Sequence, residues 1–179
     1  MKNVSAFSLI SDLIQRTGIS CILIGGFAVN FYKVTRQTAD IDFLITKEDF
    51  NKISAFLTKA GYKTISSQDA FSQLQSNQAS LMDVDFMFVD EETLAQIKKS
   101  GREIEISGKL FLIPSLDHLI ALKLHAIRHN YKIRLTKDLP DIINLIRINK
   151  IDVKNTGFKE LCLKYGTEDI YRKIVEAIA

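Results

Sequence analysis

The sequence has little of what would set it apart from ordinary globular proteins. It carries two cysteines in 179 residues, Cys21 and Cys162, far apart and each in apolar surroundings. That excludes a disulfide framework, and the pair is expected as buried thiols of a cytoplasmic protein. Proline is equally scarce, with two residues, and no serine- or glycine-rich tract or internal repeat interrupts the chain. No flexible linker is therefore expected, and any domain boundary is soft. No apolar run approaches the roughly 20 residues of a membrane-crossing helix, so no membrane partner is expected. Asp12 and Gln15 interrupt the first apolar stretch, which is expected as an amphipathic helix and not as a signal peptide. Charge is nearly balanced, with 24 Lys and Arg against 21 Asp and Glu, a formal net of +3. Non-specific nucleic-acid binders carry a stronger basic excess or a basic stripe, and no interleaving of aromatic and basic residues suits single-stranded nucleic acid.

What is present is a core of ordinary size. Hydrophobic residues make up 46% of the chain, and at this length roughly two-thirds of the unfolded surface is buried on folding. Apolar spacing predicts a helix over 5–16 with Gly18 as its C-cap, and a short buried strand over 19–24. A helix over 27–32 and a second strand over 38–45 follow. Thr46 and Asp49 resemble a capping box that opens a helix ending at Gly61. Residues 62–77 are polar and irregular, compatible with two short strands. Residues 81–89 alternate as a third strand, with Asp83 and Asp85 on one face. A short helix over 91–99 and a hairpin turned at Ser107-Gly108 come next. The remainder is helical: 116–130, a helix beginning at Asp138 with Pro140 in its first turn, then 157–165 and 168 to the end. The expected class is α/β (α+β). A small mixed sheet flanked by helices fills residues 1–114, and a helical segment over 115–179 packs on it across a soft boundary that also suits a single domain.

Two features carry chemistry. Ile24-Gly25-Gly26-Phe27 places glycines at a strand-to-helix turn, where free backbone N–H groups suit a phosphate. A plain tight turn has the same composition. Thirteen residues later stands Asp40-Ile41-Asp42. Two carboxylates two positions apart on a strand point to one face, and like charges so placed repel unless a cation or donor lies between them. Exposed polar positions on a half-buried strand are the simpler reading. A third carboxylate from the strand carrying Asp83 and Asp85 would complete an oxygen-rich site for Mg²⁺ or Mn²⁺.

The run Ile24-Gly25-Gly26, thirteen residues, then Asp40-Ile41-Asp42-Phe43 resembles the signature of the DNA polymerase β-type nucleotidyltransferases. Arg36-Gln37-Thr38-Ala39-Asp40-Ile41-Asp42 is similar to the Arg-x-Thr-x-Asp-x-Asp form of small bacterial and archaeal members. The resemblance implies transfer of an NMP unit from an NTP to a hydroxyl. By it, Gly25 and Gly26 hold the nucleotide phosphates, with Arg36 and Thr38 beside them. Asp40 and Asp42 bind metal, and Asp85 is the third metal carboxylate, with Asp83 as the alternative. Leu116 to Ala126, then Arg128 and Lys137-Asp138-Leu139-Pro140-Asp141, resembles the helical segment of the AbiEii-type toxin nucleotidyltransferases. That likeness implies that Lys123 reaches the triphosphate or the metal carboxylates and that Lys137 and Asp138 lie near the site. Solvated helix lysines and a helix-capping Asp138 are the plainer readings.

The implied partners are an NTP with Mg²⁺ or Mn²⁺, and an acceptor that is a tRNA, a protein or a small molecule. An antitoxin-like protein or a second copy of the chain is a further expected partner. A non-catalytic nucleotide-binding module and a metal-dependent phosphohydrolase are the competing readings of the same carboxylates. His118, His125 and His129 share one predicted helix, but no Glu follows His125 and no third ligand is in view, so surface histidines are expected.

Overall fold

A computed structural model describes residues 5–78 and 81–179. The chain is α/β: among the described residues a five-stranded mixed sheet and a two-stranded sheet are accompanied by eight helices. These fall into two compact units. One comprises Met1–Ala28 and Gln37–Ser115, the other Val29–Arg36 and Leu116–Ala179.

The first unit begins with α1 (Ala6–Thr17), capped by the Ser5 hydroxyl and stopped at Gly18, whose φ of 66° suits glycine. The large sheet has the order β1 (Cys21–Leu23), β2 (Asp40–Ile45), β5 (Asp83–Phe88), β4 (Phe71–Ser76), β3 (Tyr62–Ser67). Only β2 and β5 run parallel. Helix α3 (Lys47–Lys59) and the β3–β4 hairpin form the crossover between them. Residues 62–77 are thus two paired strands, with a bulge between Thr64 and Ser66. At the start of α3 the Thr46 hydroxyl caps Asp49 N as expected. The Asp49 carboxylate accepts from Ser20 N at 3.2 Å instead of closing the box.

Alternation along β2 and β5 separates two faces. Ile41, Phe43, Ile45, Val84 and Phe86 are wholly buried. An aromatic chain crosses that layer: Phe50 meets Phe86, Phe86 stacks on Phe43, Phe43 meets Phe111, and Phe111 meets Phe7, centroids 5.1–5.9 Å apart. It ties α1, α3 and the small hairpin β6 (Arg102–Ile106), β7 (Lys109–Ile113) into one core. Asp40, Asp42, Asp83 and Asp85 occupy the opposite face, in register as Asp40 beside Asp83 and Asp42 beside Asp85. Helix α4 (Glu91–Lys99), capped by Asp90, follows β5.

The second unit holds α5 (Leu116–His129), α6 (Tyr131–Asn149), α7 (Thr156–Tyr165) and α8 (Glu168–Ile178). Helix α5 packs on α6 and α7, and α8 on both of those. The segment after α2 (Gly25–Phe31) is fastened there, because Asn149 donates to the carbonyl of Tyr32 at 3.1 Å. One expectation is overturned. Asp138 does not begin a helix: α6 starts seven residues earlier and runs through Pro140. An interior proline removes a helical hydrogen bond and costs about 3 kcal/mol. Asp138 and Asp141, on either side of Pro140, are buried and share the Lys123 ammonium, so one cation bridges the turn that contains the proline. Both thiols are shifted by burial: Cys162 is pushed up to about 12, and Cys21 likewise, with Asp49 adding to the rise.

Candidate active site

The strand β1 pairs with β2, and Ile24 N extends the pairing by donating to the carbonyl of Asp42 at 2.9 Å. The chain turns into α2 at that point, which sets Gly25 directly against the Asp42 side chain. Gly25 has φ of +60°, and a Cβ there would stand 1.8 Å from Asp42 Oδ2, 2.5 Å from its Cγ and 2.8 Å from its Cβ. Helix α2 begins at Gly25, two residues earlier than the spacing predicts, and both glycines stand at the strand-to-helix junction. Gly26 is buried.

Oxygen atoms of Asp40, Asp42 and Asp85, one from each, lie within 4.8 Å of one another, and all three residues are half-buried. Among the described residues this is the one group of three potential ligands. Thr38 Oγ1 donates at 3.1 Å, shared between the backbone carbonyl and Oδ1 of Asp40, which anchors the first carboxylate. Asp83 has a different engagement: it accepts from Ser76 N at 3.0 Å and from Gln75 Nε2 at 3.4 Å. Gln73 Nε2 donates to Asp85 Oδ2 at 2.9 Å. Three hard oxygen donors converging from neighbouring strands are a donor set that Mg²⁺ or Mn²⁺ takes. The space kept clear by the missing Cβ of Gly25 lets Asp42 belong to it.

The remaining predicted residues gather in the second unit. Lys123, 7% exposed, donates to Asp138 Oδ1 at 2.8 Å and Asp141 Oδ2 at 2.7 Å. Arg36 Nε pairs with Asp141 at 3.3 Å, and Arg134 stands 3.6 Å from Asp138 Oδ2. Asn30 brackets Arg36 by accepting from its N–H and donating to its carbonyl, both at 3.0 Å. Lys137 lies exposed on α6, outside this network. The three histidines lie on α5, where the rings of His125 and His129 are 4.2 Å apart. Burial first, then His129 and Arg128, hold His125 below the usual imidazole range. No histidine joins a three-ligand group among the described residues.

Gln73 is a residue that motif reasoning did not single out. Its signal was the alternation Ser72-Gln73-Leu74-Gln75, which places both glutamines in phase on one face of β4.

Solved structures share this fold. ANT(2″)-Ia in complex with adenylyl-2″-tobramycin is similar at 16% identity and a TM-score of 0.60, over 97% of this chain and 98% of that one. An antigenic nucleotidyltransferase-like protein from Paracoccidioides brasiliensis matches at 14% identity and 0.58, over 96% and 89%. The lincomycin-bound lincosamide adenylyltransferase LnuA matches at 18% and 0.53, over 78% and 93%. No sequence among the curated proteins matches. The fold is that of the nucleotidyltransferases. Residues 4–178 match the family described as uncharacterised nucleotidyltransferase, and the chain belongs to that family and is an enzyme of that class.

Proposed function

We propose that the protein transfers an NMP unit from an NTP to a hydroxyl of an acceptor, with Mg²⁺ or Mn²⁺ held by Asp40, Asp42 and Asp85. The observation that carries this reading is the convergence of those carboxylates beside a glycine whose missing Cβ makes room for one of them. The acceptor oxygen forms a bond to the α-phosphorus, the bond to the β-phosphate bridge breaks, pyrophosphate leaves, and the hydroxyl proton passes to solvent. Bound divalent cations supply Lewis-acid stabilisation of the charge that builds on the phosphoryl oxygens. Thr38 keeps the Asp40 carboxylate from swinging away. The N–H groups of Gly25 and Gly26 are assigned to the nucleotide phosphates, with Arg36 beside them, and the likeness to the AbiEii-type enzymes adds Lys123 and Lys137. In this division of labour residues 1–114 are the catalytic core and 115–179 its helical accessory. The same motif supports a cytoplasmic enzyme opposed by an antitoxin-like protein, with a tRNA, protein or small-molecule hydroxyl as acceptor.

The test begins with each radiolabelled NTP, Mg²⁺ or Mn²⁺, and cell extract fractionated into RNA, protein and small molecules. Label is expected in one fraction. Asp42→Asn is expected to lower labelling by about 10²-fold or more, since preorganised charge stabilisation is commonly a large part of catalysis. Isothermal titration with NTP and Mg²⁺ should show the metal-dependent part of binding lost in the same variant. Unchanged transfer and unchanged metal-dependent binding would remove the assignment. Release of free phosphate with no labelled acceptor would instead mark a phosphohydrolase.

A further inference from the structure

Strand β5 carries two carboxylates on the metal-facing side, and register alone does not choose between them: Asp83 is the strand neighbour of Asp40 as Asp85 is of Asp42. We infer that strand β4 makes the choice, and that Gln73 is a positioning residue that fixes Asp85 as the third metal ligand while Ser76 and Gln75 hold Asp83 apart. This rests on the reading of Asp40, Asp42 and Asp85 as metal ligands.

The argument starts from torsional freedom. An aspartate χ2 is a broad torsion, so a carboxylate with no fixed donor swivels easily. Beside two further carboxylates it swings away, because like charges repel. In an antiparallel pair directly opposed residues share a face, and Gln73 is directly opposed to Asp85. Its side-chain amide reaches Oδ2 at 2.9 Å. A neutral donor at this distance fixes the carboxylate plane and offsets part of its charge without adding a competing cation. One turn of the pleat further along, Asp83 is gripped differently. The backbone N–H of Ser76 donates at 3.0 Å, and Gln75 adds a longer contact at 3.4 Å. A backbone donor cannot rotate out of the way, so Asp83 is held where it stands. It lies outside the group whose oxygens come within 4.8 Å of one another. Partners that orient ligating groups in this manner contribute about 10- to 100-fold to metal affinity or activity.

The experiment measures Mn²⁺ alone, by the loss of the free-ion electron paramagnetic resonance signal, on the full chain. Gln73→Leu is expected to weaken Mn²⁺ binding about tenfold or more with the melting temperature unchanged, because the position is half-buried. Gln73→Asn keeps an amide but is one methylene short of Asp85, and should behave like the leucine variant. Asp85→Asn should weaken binding most, and Asp83→Asn should leave it within about twofold. Normal affinity in both Gln73 variants, with Asp85→Asn defective, overturns the role of Gln73 alone. Equal defects in Asp83→Asn and Asp85→Asn overturn the sorting. Unchanged binding in Asp85→Asn overturns the metal reading and this inference together.

Discussion

Gly25→Ala is expected to abolish transfer although it changes none of the candidate ligand residues. The added methyl would meet Asp42 at three atoms, at 1.8 Å from Oδ2, 2.5 Å from Cγ and 2.8 Å from Cβ. Rotation about χ1 of Asp42 relieves the first contact and leaves the third, because a Cβ is fixed by its own backbone. Either β2 or the start of α2 must therefore shift. The φ of +60° adds a conformational penalty of about 1–2 kcal/mol for any L-residue, and overpacking adds about 1–3 kcal/mol. Urea denaturation followed by circular dichroism should show a loss of this combined size. Labelled-NTP transfer should fall by about 10²-fold or more, since a displacement of about 1 Å at a reacting centre has that effect. A double-mutant cycle checks the cause. Adding Asp42→Gly to Gly25→Ala removes all three clashing atoms, so the two stability losses should be strongly non-additive, while transfer stays absent. Additive losses would show that Gly25 acts through something other than contact with Asp42.

This glycine also marks where the sequence was legible. Asp40-Ile41-Asp42 could be placed on a strand because apolar neighbours surround it, and the pairing of β2 with β5 puts Asp85 next to Asp42. The reason for Gly25 was not legible as such. Local chemistry suggested backbone N–H groups for a phosphate, whereas the steric requirement comes from a side chain seventeen positions on, brought close by the β1–β2 pairing. The β3–β4 hairpin was blurred because residues 62–77 are mostly polar and their burial pattern depends on pairing with β5. Helix α6 was misplaced for a similar reason. Asp138-Leu139-Pro140-Asp141 has the composition of a helix start, and local preference favours that reading. A lysine on another helix, fifteen and eighteen residues away, decides otherwise. Fold class and carboxylate cluster rest on short-range patterns. The roles of Gly25, Gln73 and Asp138 rest on contacts between elements.

Lys123→Met is expected to be among the most destabilising single changes in the helical unit. Asp138 and Asp141 are 3% and 5% exposed, and Lys123 is their shortest ionic partner. Removing it leaves Asp141 with Arg36 at 3.3 Å and Asp138 with a partly exposed Arg134 at 3.6 Å. Asp138 Oδ2 already makes no hydrogen bond, so the variant leaves that carboxylate buried with one distant cation. Breaking a buried pair from one side destabilises by about 3–5 kcal/mol, whereas replacing the whole pair with neutral groups is often close to neutral. Lys123→Met with Asp138→Asn should therefore regain most of the lost stability, since Asp141 keeps Arg36 and no uncompensated charge remains at 138. Thermal and urea unfolding of the single and double variants measure this. Transfer by the double variant then separates two roles for the lysine. If the ammonium touches the triphosphate, stability returns and transfer does not. If it serves the fold alone, as counter-ion to the carboxylates on either side of Pro140, both return together.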